Sequence, residues 1–152
     1  VKVNCVEAFE TFEVAEKYEV TAFEANHEPT TSPLFYLVKE KETGKSVLYA
    51  HDTGIFSERD FEKLKEFKNI SLVSLDCTGG YGDKDGWRNG HMSIQTNLEV
   101  IARLKEIGCI TPETKIIANH FSHNGKATYD DLSVYAEQFG IIVSYDGLEL
   151  EF

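Results

Sequence analysis

Apolar and polar side chains alternate through the first twenty-five residues, with Val6 and Ala8, then Phe12 and Val14, then Val20 and Ala22. That two-residue period is the signature of half-buried strands. Two apolar stretches, 34–38 (Leu-Phe-Tyr-Leu-Val) and 46–50, flank a polar turn containing Thr43-Gly44 and predict a hairpin. The period then changes. Ser57 is a good N-cap, and Phe61, Leu64 and Phe67 recur at helical spacing through 58–68. Residues 70–75 (Ile-Ser-Leu-Val-Ser-Leu) predict a strand that ends at Asp76. Ser93 caps a second helix with an apolar stripe of Leu98, Ile101 and Leu104, stopping at Gly108. A short buried strand at 115–118 leads into Asn119-His120. Thr128 caps the last helix, with Asp131 three residues on, and Gly140 ends it. A final hairpin is expected to turn at Asp146-Gly147. Phe9, Phe12, Phe23, Phe35, Tyr36 and Phe139 fall on these periods and are expected in the core.

Strands followed by strand–helix alternation predict an α/β (α+β layered) fold with a mixed sheet and about three helices. No repeat, low-complexity stretch or Pro/Gly/Ser linker divides residues 1–152, which read as one domain or half-domain. The polar residues fall in telling places. His27, Asp52, Asp76 and His120 each stand just beyond a predicted strand, on the rim where layered α/β folds gather ligands. Imidazole nitrogen with carboxylate oxygen suits zinc or manganese. Spacing alone leaves the matter open, because no H-x-x-x-H or H-E-x-x-H string is present and a lone histidine is more often a surface or hydrogen-bonded residue.

Composition narrows the function classes. With 41% hydrophobic and 12% aromatic residues the chain reads as folded. Its net charge of -11 argues against a general basic surface for nucleic acid, although a bound cation can still recruit a phosphate. No apolar run approaches the ~20 residues that span a bilayer, and the N-terminal residues lack a secretion pattern. Cys5, Cys77 and Cys109 are odd in number and widely spaced, so a reducing cytoplasm is the expected compartment.

Four segments, taken in order, carry a resemblance. Thr21-Ala22-Phe23-Glu24-Ala25-Asn26-His27 resembles the strand-to-histidine segment of metallo-β-lactamase-fold hydrolases. Ser46-Val47-Leu48-Tyr49-Ala50-His51-Asp52-Thr53-Gly54 is similar to their Y-x-x-D-T-G segment, and Leu75-Asp76-Cys77-Thr78 to the strand end that follows. Gly90-His91-Met92-Ser93, followed by Ile116-Ile117-Ala118-Asn119-His120-Phe121-Ser122, resembles the G-H … T-H-F-S pair of the ribonuclease Z and cyclic-phosphodiesterase branches. The resemblance implies the C-terminal half of an αββα sandwich carrying part of a two-ion site, zinc or manganese. It makes His27 a ligand of one metal, Asp52 the bridging carboxylate and His120 a ligand of the second. His91 becomes the group that polarises the phosphate or protonates the leaving oxygen, and Asp76 a hydrogen-bond acceptor behind the ligands. His123 is a loop residue or a further histidine of the site, and His51 is structural. The Gly-rich 79–90 segment reads as a rim over the site, with Trp87 and Arg88 available to substrate, or as an ordinary surface loop.

One departure matters. The family's H-x-H-x-D-H string, which supplies most ligands, is absent, and in relatives it lies upstream in the N-terminal half. That missing half is therefore an expected partner, with a small phosphodiester or RNA end as substrate and a homo-oligomer as the expected state. Two function classes follow. One is a hydrolase of phosphodiester or related esters using two-metal water activation. The other is a non-catalytic metal-binding or interaction module that keeps the fold alone.

Overall fold

A computed structural model describes residues 4–152. Seven strands form one sheet whose spatial order is their sequence order. They are β1 (Thr11–Val14), β2 (Tyr18–Glu24), β3 (Leu34–Glu40), β4 (Ser46–Ala50), β5 (Leu72–Asp76), β6 (Lys115–Asn119) and β7 (Ile141–Val143). The first four pair antiparallel, through short turns. From β4 onward the strands run parallel, each step crossing over through α1 (Glu58–Leu64), α2 (Ile94–Glu106) or α3 (Tyr129–Glu137). The carboxyl ends of β4, β5 and β6 therefore open on one edge, beside the end of β2.

Local chemistry explains the helix limits. Ser57 and Asp60 form a reciprocal capping box on α1, and Ser93 and Thr96 form one on α2. The Thr128 hydroxyl accepts from the Asp131 amide and opens α3. Gly108 (φ 72°) and Gly140 (φ 71°) turn the chain out of α2 and α3 in the left-handed region, where glycine carries no steric cost. The first helix stops at Leu64 rather than at 68. Glu66 and Phe67 bond three residues back, and Asn69 (φ 55°) turns the chain into β5, while Phe67 still packs on the core.

Register assigns the faces. Phe23, Phe35, Leu48, Val73, Leu75, Ile116, Ala118 and Val143 pack against Phe61, Leu64, Val100, Leu104, Leu132 and Ala136 of the helices. The opposite parity, including Tyr36, Val38, Val47, Tyr49 and Ile142, turns away, and Tyr49 is 51% exposed. Over that open face runs the C-terminal segment. Leu148, Leu150 and Phe152 line one groove with Leu72 and Ile117, and Leu150 and Phe152 line another with Tyr18, Val38 and Val47. The Lys115 ammonium holds the segment by donating to the Glu151 carbonyl.

Three sequence expectations change. The turn at Asp146-Gly147 exists, but 148–152 makes no strand, so the final hairpin is only its turn. Residues 6–8 are irregular, because Phe9 (φ 68°) breaks the extended run before β1. Phe139 is 42% exposed beyond the end of α3, and Phe12 and Tyr36 are half-buried on the open face, so none of the three joins the core.

Candidate metal centre

The strand ends deliver polar side chains to one point. Asp52 (φ 55°) and His120 (φ 59°) both stand in the left-handed region just after β4 and β6. A non-glycine residue held there is uncommon and costs on the order of 1 kcal/mol or more, although Asp and His tolerate it better than most. The twist aims both side chains over the sheet edge. Asp52 Oδ1 lies 3.2 Å from His27 Nε2, 3.7 Å from His91 Nδ1 and 3.8 Å from His120 Nε2. Asp52, Asp76, His91 and His120 each offer a ligand-type atom, all within 4.8 Å of one another. The His27 ring packs on His91 at 5.1 Å, and His91 lies 5.6 Å from His120.

Behind these groups sits Asp76, fully buried. Its Oδ2 accepts from the Asp52 amide and His91 Nδ1, each at 3.0 Å, and His120 Nδ1 stands 3.0 Å from the same oxygen. Its Oδ1 accepts from the amides of Thr78 at 2.9 Å and Met92 at 3.1 Å. Four donors occupy the two oxygens with His120 Nδ1 close beside them, so this carboxylate orients its neighbours. The Thr78 hydroxyl donates to the His120 carbonyl at 2.8 Å and lies within 3.1 Å of both Nδ1 atoms. An imidazole that donates from Nδ1 keeps the Nε2 lone pair free, which is how an acceptor behind a ligand fixes its tautomer.

Asn26 is the second organiser. Its amide donates to Thr53 Oγ1 at 2.9 Å, and its carbonyl accepts from the amides of Gly54 and Gly90. Its side chain donates to the carbonyls of Ile55 and Arg88. One residue thus ties the end of β2 to the loops bearing Asp52 and His91. The approach is close enough that a Cβ on Gly54 would stand 2.2 Å from the Arg88 carbonyl oxygen.

A profile described as the beta-lactamase superfamily domain matches residues 1–121. The chain belongs to that family. Among solved structures, the chain is similar to isothiocyanate hydrolase from Delia radicum gut bacteria, at 12% identity and a TM-score of 0.68, with 100% of this chain covered. It is similar to Zn(2+)-bound PqqB from Methylobacterium extorquens, at 16% identity and a TM-score of 0.61, with 97% covered. A metallo hydrolase from the archaeon Ignicoccus hospitalis gives 17% identity and a TM-score of 0.62, with 91% covered. These likenesses carry the metallo-β-lactamase fold. The chain spans 60%, 55% and 55% of those three structures' lengths. No curated protein matches it in sequence.

The donor set of this beta-lactamase superfamily chain fits a divalent cation. One carboxylate oxygen and the imidazoles of His27, His91 and His120, the last two with Nδ1 tied down, are the ligand types that zinc-class ions take. The structure brings His27, Asp52, His91 and His120 together, with Asp76 beneath them. It does not bring in His123, which is exposed on the short 3-10 turn His123–Gly125. The Trp87 ring lies on Gly79 and Gly82 of its own loop, and Arg88 pairs at 2.7 Å with Glu99 of α2, tying that loop to the helix. His51 donates to or accepts from Ser74 Oγ at 2.7 Å and stacks on Tyr49. Burial, helped by the nearby His120 and opposed by Asp76, lowers its pKa to about 4. It is neutral at physiological pH, in keeping with a structural part.

Asn26 and Thr78 are the organisers that sequence reasoning missed. Both lie inside the segments that carried the resemblance, yet an isolated Asn or Thr at a strand end has no chemical signature beyond ordinary turn formation.

Proposed function

We propose that this chain supplies the C-terminal part of a two-cation site in a hydrolase of phosphodiester or related ester substrates, in the manner of the ribonuclease Z and cyclic-phosphodiesterase branches. The observation that supports the reading most is the convergence of His27 Nε2 and His120 Nε2 on Asp52 Oδ1 above the buried Asp76. Bound zinc or manganese would supply Lewis-acid polarisation of an ester oxygen and activation of water near neutral pH. The chain's own groups have distinct tasks. Asp52 would supply negative charge to the bound cations, and His27 and His120 would help hold them. His91, anchored through Nδ1 on Asp76 and Thr78, presents Nε2 to hold a proton for the leaving oxygen. Standing within the ligand-capable group as it does, His91 could equally serve as a ligand.

Two ions take more ligands than these residues offer. The remaining ones would come from an N-terminal half carrying H-x-H-x-D-H, as the resemblance implies. The absence of that string from the chain is the one observation that favours the second reading, a metal-binding or interaction module without catalysis.

Mixing decides between them. The chain alone should self-associate and bind zinc weakly, and a separately made N-terminal half should restore both tight zinc binding and cleavage of a chromogenic bis-phosphoester. Recovery of zinc binding without any cleavage would favour the module. A well-behaved monomer that cleaves the ester unaided would overturn the half-site reading.

A further inference from the structure

Beside the histidine cluster, at the carboxyl ends of β6 and β7, lies a cavity of about 340 Å³ that the proposed chemistry does not use. Its lining is aromatic and aliphatic: Phe121, Tyr129, Leu132, Val143 and Tyr145 contribute, and Cys77 forms part of it beside Asp76. Tyr129 and Tyr145 meet edge to face at 5.8 Å and 83°, and they are 48% and 54% exposed. Asp146 is the one charged residue in the lining, so the cavity repels an anion and offers no cation to attract one.

The cavity borders the cluster, one residue away along the chain at two points. Phe121 follows His120 directly, and Cys77 follows Asp76. Successive strands stand about 4.8 Å apart, so a group seated over β7 lies roughly 10 Å from the end of β5. That is within the reach of an ester substituent. The wall between them is rigid backbone. A Cβ on Gly125 would stand 2.8 Å from the Thr78 carbonyl oxygen and 2.9 Å from the Gly80 amide, so the cavity loop rests directly on the residue that touches His91 and His120. In open α/β sheets, this crevice outside the carboxyl strand ends is where ligands collect.

Charge divides the crevice in two. The cluster suits the anionic, cation-seeking part of a substrate, and the cavity suits an uncharged flat part. We propose that this cavity seats an aromatic ring esterified to the phosphoryl group, making the preferred substrates aryl-type phosphoesters. The proposal rests on the hydrolase reading above, because that reading places the phosphoryl group at the cluster. A ring laid in the cavity against the exposed sides of Tyr129 and Tyr145 can make offset or edge-on contacts with that pair, the arrangements aromatic rings prefer.

The test titrates phenylphosphonate, methylphosphonate and benzyl alcohol into the zinc-loaded complex of this chain with the N-terminal half, reading affinity together with the aromatic NMR signals of Tyr129 and Tyr145. Phenylphosphonate should bind about tenfold more tightly than methylphosphonate, equivalent to ~1.4 kcal/mol. It should shift both tyrosine rings, as should the neutral alcohol. Tyr129→Ala and Tyr145→Ala, both at exposed positions, should each remove most of that advantage and leave methylphosphonate affinity unchanged. Equal affinity for the two phosphonates, or an advantage that survives in both variants, overturns the proposal, as does an alcohol that moves neither ring. If the alcohol moves both rings but neither phosphonate binds, the cation-site reading fails and the ring seat stands.

Discussion

Replacing Asp76 with Asn changes one oxygen to an amide nitrogen and leaves the volume intact. Whichever way the amide turns, its NH2 faces donors. Turned one way it meets the amides of Thr78 and Met92; turned the other it meets the Asp52 amide and the Nδ1 atoms of His91 and His120. Two hydrogen bonds to a carboxylate are lost either way, at ~1.5–3 kcal/mol each, and in the first orientation the buried amides of Thr78 and Met92 gain no substitute. Relaxation recovers part of this, so the expected cost is about 3–4 kcal/mol, a fall in Tm of roughly 10 °C for a chain of this length. There is also a chemical signature. In the second orientation the histidines would accept at Nδ1 and carry their protons on Nε2, where a cation needs the lone pair. Zinc affinity should therefore drop by about 10–100-fold, as it does when a residue supporting a ligand is lost. Urea denaturation of the metal-free chain gives the first quantity, and competition with a chromogenic chelator gives the second. An Asp76→Asn variant within ~0.5 kcal/mol of the parent, binding zinc equally well, would refute the reasoning, because surface-like substitutions behave that way.

Other outcomes follow from the same geometry. In the complete protein, His91→Ala should lower turnover by about two to four orders of magnitude with metal content unchanged, and a parallel loss of metal would make His91 a ligand instead. Asp52→Gly should raise the thermal stability of the metal-free chain by ~1 kcal/mol, since glycine sits at φ 55° without strain, while abolishing zinc binding; a destabilised variant would show the left-handed turn to be unstrained. Native protein should react with a thiol reagent at Cys5 alone, and at all three cysteines once unfolded, because Cys77 and Cys109 are buried. Burial pushes the Cys77 thiol up to about 12 and that of Cys109 to about 11, above the ordinary value of 9.0. The unfolded chain therefore gives up these protons first, so stability is fully present below pH 9 and declines as pH rises toward 12; Cys77→Ala should flatten that decline in urea midpoints measured across the range.

The sequence by itself determined the elements and their limits. Ser57, Ser93 and Thr128 mark helix starts, and Gly108 and Gly140 mark stops, because capping bonds and left-handed turns involve residues only a few positions apart. Strand ends were legible for the same reason, and with them the rim positions of His27, Asp52, Asp76 and His120. The resemblance added which of these to group, and the folded chain brings them together. What lay beyond the sequence was everything decided between segments. The contacts to Asp76 exist only because β5 runs parallel between β4 and β6, placing residues 52, 78, 91, 92 and 120 around one carboxylate. Asn26 becomes an organiser only when the 54 and 90 loops arrive at its carbonyl. Trp87 was freely placed by its Gly-rich surroundings, and packing put it on Gly79 and Gly82. The clearest case is 148–152, whose alternating Leu-Glu-Leu-Glu-Phe pattern suits a strand, yet among the described residues it pairs with none. A helix closes its hydrogen bonds within itself, whereas a strand takes them from a neighbour, so periodicity can fit a segment for a sheet but only tertiary structure can supply its partner.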